Sequence, residues 1–389
     1  MPYTRNSPYI KVYNKYLVIR SLFQKNYSRA ELSRLTGLTR ASITNIVDVL
    51  IADGMVKESE LDFKNNVVGR NPKTLEIISQ RCKILCVDIG RTNCSIGLVN
   101  LGGEVLFSKE MDLKEVNSPE KAVKIICKEI KTNILADKDD KNSILGLGIT
   151  TPGPVNTKDG IIDDIPDFQL WRNFHIVDEF KKYLDFEIKL ERDAAAVSLA
   201  ELYFGFGREN SDFLCIMSYV GIGFGIIRNR QLYRGKYGLT PELGHISIDF
   251  NGPECECGNN GCLYQYYGIN KILEKVNEDF PEINSWEEIV DRAYSGEKYF
   301  VNIINYYAKI FSIAVVSAIN MTALDKIILS GFVVYKPELF LNELKKNVQN
   351  SYILKNFLEV DICTTKMSKS QNLIGAATSV IDYSFTKYK

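Results

Sequence analysis

The sequence predicts a mixed α/β protein in two parts, a winged helix-turn-helix over residues 1–78 and a larger α/β body over residues 79–389. Three observations carry that expectation. The first fifty residues hold eight Lys/Arg against two acids, a surplus of six, while the whole chain is neutral. A strand-like run, Ile84 to Asp88, enters a turn at Gly90 and is followed by two more strand-like runs. Three cysteines, at 255, 257 and 262, crowd into eight residues, whereas the other six are scattered. With 389 residues, 45% hydrophobic and 25% charged, the chain has material for two or three compact units, and disordered, fibrous and low-complexity classes are excluded. The longest uncharged apolar run, Phe213 to Ile227, has 15 residues, short of the roughly 20 that span a bilayer. No apolar leader accompanies Arg5, so a cytoplasmic location is expected.

The basic segment comes first. Ile10, Tyr13, Leu17, Val18 and Leu22 recur at helical spacing and predict a helix from about Tyr9 to Phe23. Ser28 and Glu31 form a capping box for a second helix with Leu32 and Leu35 inward, and Gly37 stops it. Thr39 caps a third, with Ile43, Ile46, Val47 and Leu50 inward and an end near Gly54. Three helices with a glycine turn before the last read as a helix-turn-helix. Arg40, Ser42 and Asn45 then face outward at the start of the third helix. Arg suits guanine, Asn suits adenine, and Ser serves base or phosphate. Met55–Lys57 and Leu75–Ile78 predict the strands of a wing, and the Gly69–Pro72 turn carries Arg70 toward the DNA backbone or minor groove. The competing reading is a trihelical unit that packs on its neighbour.

The body opens with Asp88-x-Gly90-x-Thr92, then strands Asn93–Val99 and Val105–Phe107 around a Leu101–Gly103 turn. Further on come a Gly146–Val155 strand and proline turn, Glu191-Arg192-Asp193 opening a small-residue helix, Pro241 to His245, and Cys255 to Cys262. Three thiols within eight residues, with a histidine ten residues upstream, supply four N/S ligands for a tetrahedral structural zinc: His245, Cys255, Cys257 and Cys262. Gly258 and Gly261 permit the tight loop. Free buried thiols are the alternative.

These motifs, in this order, resemble the ROK family of repressors and sugar kinases over about Ile84 to Ile381, and within it the sugar-responsive repressors of the xylose-repressor type. The resemblance implies a two-lobed, actin-like ATPase fold with a sugar cleft, lobe one near 79–192 plus 370–389 and lobe two near 193–369. It identifies His245, Cys255, Cys257 and Cys262 with the family's zinc ligands. It also implies an effector site of Asp167, Asp193, Glu242, His245 and Tyr264. Asp193 stands at the kinases' catalytic base, here vestigial, with Arg192 in place of the usual Asn; a helix N-cap is its alternative role. Asp167 and Tyr264 replace an Asn and an acid. On the nucleotide side Arg91, Tyr219, Val220, Phe224 and Phe332 replace small or hydroxyl residues. Phosphoryl transfer depends on positioning nucleotide and metal, so no enzymatic activity is expected. The expected partners are operator DNA and a sugar or sugar phosphate, with a homodimer or homotetramer and no membrane. A sugar kinase with a regulatory DNA-binding head, and a repressor governed by a partner protein, are the alternatives.

Overall fold

The computed structural model describes residues 8–60, 73–91, 93–136, 143–165, 168–367 and 370–386. Thr92, Asp167 and the Arg70 turn fall outside them. The head is built of α1 (Pro8–Gln24), α2 (Arg29–Thr36), α3 (Arg40–Ala52) and the hairpin β1 (Val56–Glu60) and β2 (Lys73–Ile77). Ser28 and Glu31 exchange the reciprocal hydrogen bonds of a capping box, and Gly37 takes the left-handed conformation that ends α2. The Thr39 side chain accepts from the Ser42 N–H and starts α3. β1 and β2 pair antiparallel from Val56↔Ile77 to Glu60↔Lys73. Leu32, Ile43, Val47, Leu50, Val56 and Leu75 form the fully buried centre.

Two inward faces differ from expectation. Leu35 is 53% exposed and Tyr13 is 38% exposed, whereas Tyr16, Ile19 and Phe23 are buried. For α1 the reason is that the helix has neighbours on two sides. It packs on α2, α3 and β2 within the head, and on two helices of the body, α6 and α13 below. A single 3.6-residue stripe does not describe a helix covered on both flanks.

The body continues with β3 (Lys83–Ile89), β4 (Asn93–Asn100), β5 (Val105–Asp112), α4 (Pro119–Asn133), β6 (Ile144–Thr151), the short β7 (Val155–Asn156) and β8 (Ile161–Ile162), α5 (Ile176–Lys181), β9 (Ile188–Arg192) and α6 (Asp193–Phe204). The sheet runs β5-β4-β3-β6-β9, antiparallel through β3 and parallel beyond it. Successive side chains of a strand face opposite ways, so Leu147 and Ile149 of β6 join the core with α4 and α5, while Gly148 faces the terminal helix α13 (Gln371–Thr386). A Cβ on Gly148 would lie 1.9 Å from the Ala376 carbonyl oxygen, so the strand and helix backbones touch.

Residues 205–368 form a second unit, the first being 1–204 with 369–389. Its sheet, β12-β11-β10-β13-β14, comprises β10 (Phe213–Ser218), β11 (Ile222–Arg228), β12 (Gln231–Leu232), β13 (Lys326–Gly331) and β14 (Asp361–Thr364). Around it lie α7 (Tyr264–Tyr267), α8 (Ile269–Asn277), α9 (Trp286–Tyr294), α10 (Lys298–Thr322), α11 (Glu338–Gln349) and α12 (Tyr352–Phe357). Tyr267, Trp286, Phe300 and Phe311 fill its core. Among the described residues α10 is the one helix long and apolar enough to cross a membrane, and half of its most apolar stretch is buried in this core.

Candidate functional site

In the head, Arg40 and Asn45 are exposed at the N-terminal part of α3, as a groove-reading surface requires. Ser42 is more constrained: its hydroxyl lies 2.9 Å from the Thr39 hydroxyl and shares in the helix cap. Part of the basic surplus is held by neighbouring acids. Arg29 pairs with Asp48 at 2.9 Å and Glu58 at 3.0 Å, Lys15 with Asp53 at 2.9 Å and Lys73 with Glu58 at 2.8 Å. Arg34 and Arg40 keep their exposure.

In the first unit, adjacent strand ends bring the acids together. β3 and β6 are in register at Asp88↔Thr150, and β6 and β9 at Thr151↔Arg192, which sets Asp88 and Asp193 within electrostatic reach of each other. Asp88 Oδ1 accepts from the Thr150 hydroxyl at 2.7 Å, and Oδ2 accepts from Asn372 Nδ2 at 3.0 Å. Desolvation outweighs both bonds and raises Asp88 to about 6, with the Asp193 charge adding to the rise. Asp193 opens α6; its Oδ1 accepts the neighbouring Ala194 N–H at 2.6 Å and lies 4.0 Å from Arg192 Nε. Burial raises its carboxyl, while the Arg192 charge, that N–H and the Arg91 charge pull the other way. Asp193 is thus the first residue of α6, beside the Arg192 guanidinium and within electrostatic reach of Arg91. Thr150 and Asn372 were not found by sequence reading. Asn372 lies 284 residues from Asp88, and no local pattern marks it.

In the second unit, Glu242 and His245 flank a single helical turn, Leu243–His245, with both side chains exposed. The His245 and Tyr264 rings are 6.2 Å apart. Ser247 and Cys262 pair as an isolated bridge, which folds the cysteine loop back onto His245. The His245, Cys255, Cys257 and Cys262 donor atoms then lie within 4.8 Å of one another, with Cys255 Sγ 3.6 Å from His245 Nδ1 and Cys257 Sγ 3.5 Å from Cys262 Sγ. These separations match four ligands at about 2.0–2.3 Å from one ion. Burial opposes ionisation of Cys255, but hydrogen bonds from Cys257, His245 and Gln265 bring its thiol down to about 7, whereas burial and the neighbouring thiols push Cys262 up. The loop can close only with glycine at 261: φ is +62°, and a Cβ there would meet the Asp249 carbonyl oxygen at 1.7 Å.

The bulky residues expected on the nucleotide side have separate placements. Phe332 follows Gly331 at the end of β13 and packs against Trp286 at 5.1 Å and Tyr267 at 5.8 Å between ring centres. Phe224 is buried in the sheet core, and Tyr219 is 40% exposed. Gly331 brings the two strand ends together, since a Cβ there would lie 1.8 Å from the Ser218 carbonyl oxygen.

Residues 84–382 match the ROK family. The chain is 27% identical to the xylose repressor of Caldicellulosiruptor bescii, over 98% of this chain and 99% of that one. It is 26% identical to the glucokinase of Thermotoga maritima, over 77% of this chain and 98% of the kinase. A solved ROK family transcriptional regulator, a homologue of the E. coli MLC protein, superposes with a TM-score of 0.83 at 25% identity, covering 97% of each chain.

Proposed function

Because the chain belongs to the ROK family, we propose that it is a DNA-binding transcriptional repressor of carbohydrate-utilisation genes, controlled by a sugar or sugar phosphate. One observation carries the reading. The family match begins at residue 84, after a capped helix-turn-helix and hairpin, and the repressor relative extends over that added length while the glucokinase match spans 77% of the chain. The head reads the operator through Arg40, Ser42 and Asn45, with Arg70 following from the wing turn. The effector residues are Asp167, Asp193, Glu242, His245 and Tyr264. The chain acts as a symmetric dimer or tetramer in the cytoplasm, so that its heads meet half-sites about one helical turn, or a multiple, apart. Sugar binding favours the arrangement in which the heads no longer match those half-sites, by its differential affinity for the two states.

His245, Cys255, Cys257 and Cys262 would hold a structural zinc, which would supply a fixed loop beside Glu242. The protein is not a kinase in this reading. Both Asp88 oxygens accept bonds from Thr150 and Asn372, and Phe332 stands at a small-residue position of the nucleotide side.

The test is operator binding by the full chain across pentoses, hexoses, amino sugars and their phosphates, D-xylose first. One sugar should lower operator affinity at least about tenfold, and Glu242→Ala should remove that response while keeping sugar-free DNA binding. A wild-type chain that binds DNA and ignores every sugar would overturn the effector assignment. Turnover of ATP with any of these sugars would revive the kinase.

A further inference from the structure

Two helices of the first unit run from the paired acids to the DNA-binding head. α6 starts with Asp193 and ends with Tyr203 and Phe204, about 17 Å further along at about 1.5 Å per residue. α13 carries Asn372, bonded to Asp88, near one end and Asp382 toward the other. At the far end of α6, Phe23 of α1 sits edge-on against Tyr203 at 5.2 Å and Phe204 at 6.0 Å. The Tyr203 hydroxyl donates to Asp382 Oδ1 at 2.9 Å, and next to it Arg20 donates to the Tyr16 hydroxyl at 2.9 Å.

The pair is stiff for identifiable reasons. Every residue of α6 from Ala194 to Tyr203 is buried. A Cβ on Gly375 would lie 2.8 Å from the Ala196 carbonyl carbon, so the two helix backbones are in contact. Gly103 seals the far end, since a Cβ there would press on the Phe204 ring at 2.8 Å. Packing of this density has discrete arrangements and does not yield gradually.

Resting on the repressor reading above, we propose that α6 and α13 act as a double strut through which the state of Asp193 sets the position of the head, with Phe23, Tyr203 and Phe204 as its joint. A ligand hydroxyl that engages Asp193 shifts the start of α6. The shift reaches α1 undiminished because no compressible element intervenes. Phe23 and Tyr203 are positioning residues: they touch neither DNA nor effector.

The test is a double-mutant cycle on operator affinity in the full-length chain without sugar, using a duplex selected by the wild type from a random pool. Its arms are Asp193→Asn, Phe23→Leu and the double variant. Independent sites this far apart combine within about twofold. The strut predicts that the double variant departs at least threefold from the product of the singles. Effects that multiply within twofold overturn it. Should Phe23→Leu disturb the fold, Tyr203→Phe keeps the ring, removes only the bond to Asp382, and takes its place in the cycle. A D-xylose titration runs alongside: a wild type that does not respond counts against the sugar reading, while the sugar-free cycle still decides on the strut.

Discussion

Asn372 donates to Asp88 Oδ2 at 3.0 Å across 284 residues of chain, and Thr150 takes the other oxygen at 2.7 Å. These two bonds fix the orientation of the carboxylate, and turning it away from them toward a hydrated metal–nucleotide would leave a buried donor unpaired at about 1–3 kcal/mol for each bond broken. Calorimetric titration of the native chain with Mg-ATP is therefore expected to give no binding heat, and ATP hydrolysis with any sugar should stay at background. Saturable heat would show that the pair opens.

The burial of this carboxyl bears on pH, because desolvation outweighs the two bonds that favour its charged form. The folded carboxyl of Asp88 is raised from 3.8 to about 6, so the folded state holds this proton more tightly than the unfolded one. Its contribution to stability is present in full below about pH 4, declines as pH rises to about 6, and is level above. The stability difference between wild type and Asp88→Asn, from denaturant titrations at several pH values, should fall across that window. A difference that rises between pH 4 and 6 would contradict the buried placement of Asp88.

Zinc content is a direct readout of the cysteine loop. Elemental analysis of native protein should find about one zinc per chain, absent from Cys257→Ser. A ligand held at a hundred times its dissociation constant stabilises by about 2.7 kcal/mol, so chelation should lower the melting temperature by several degrees. Gly261→Ala should do the same without removing a ligand, because its Cβ meets the Asp249 carbonyl oxygen. A melting temperature indifferent to chelation would rule out a structural metal.

Arg29 and Arg40 should separate stability from recognition. Arg40 is exposed at the start of α3, and Arg40→Ala should cost about 1–3 kcal/mol of operator affinity and relax sequence preference. Arg29 is committed to Asp48 and Glu58, so Arg29→Ala should lower the head's stability slightly and leave base preference unchanged. Competition binding against single-base operator variants distinguishes them. Both affinities should fall steeply with salt.

Much of the architecture was legible in the sequence wherever partners are close along the chain. Ser28 and Glu31 are three residues apart, Thr39 caps through Ser42, β1 and β2 are consecutive strands that pair, and the three cysteines share a loop whose glycines permit its closure. Geometry at this range follows from helical spacing, capping and turn conformation, which residue types and intervals specify directly. The buried faces of α1 and α2 were only partly legible: Tyr13 on α1 and Leu35 on α2 carry the apolar character of inward residues yet are exposed, because burial depends on what packs there. The partner of Asp88 and the Phe23–Tyr203 joint likewise came only from the tertiary structure. The first is set by the docking of the last helix on the first sheet, the second by the docking of α1 on α6. An Asn at 372 or a Phe at 23 has no local interval to a partner hundreds of residues away, so its role is decided by the packing that closes the unit.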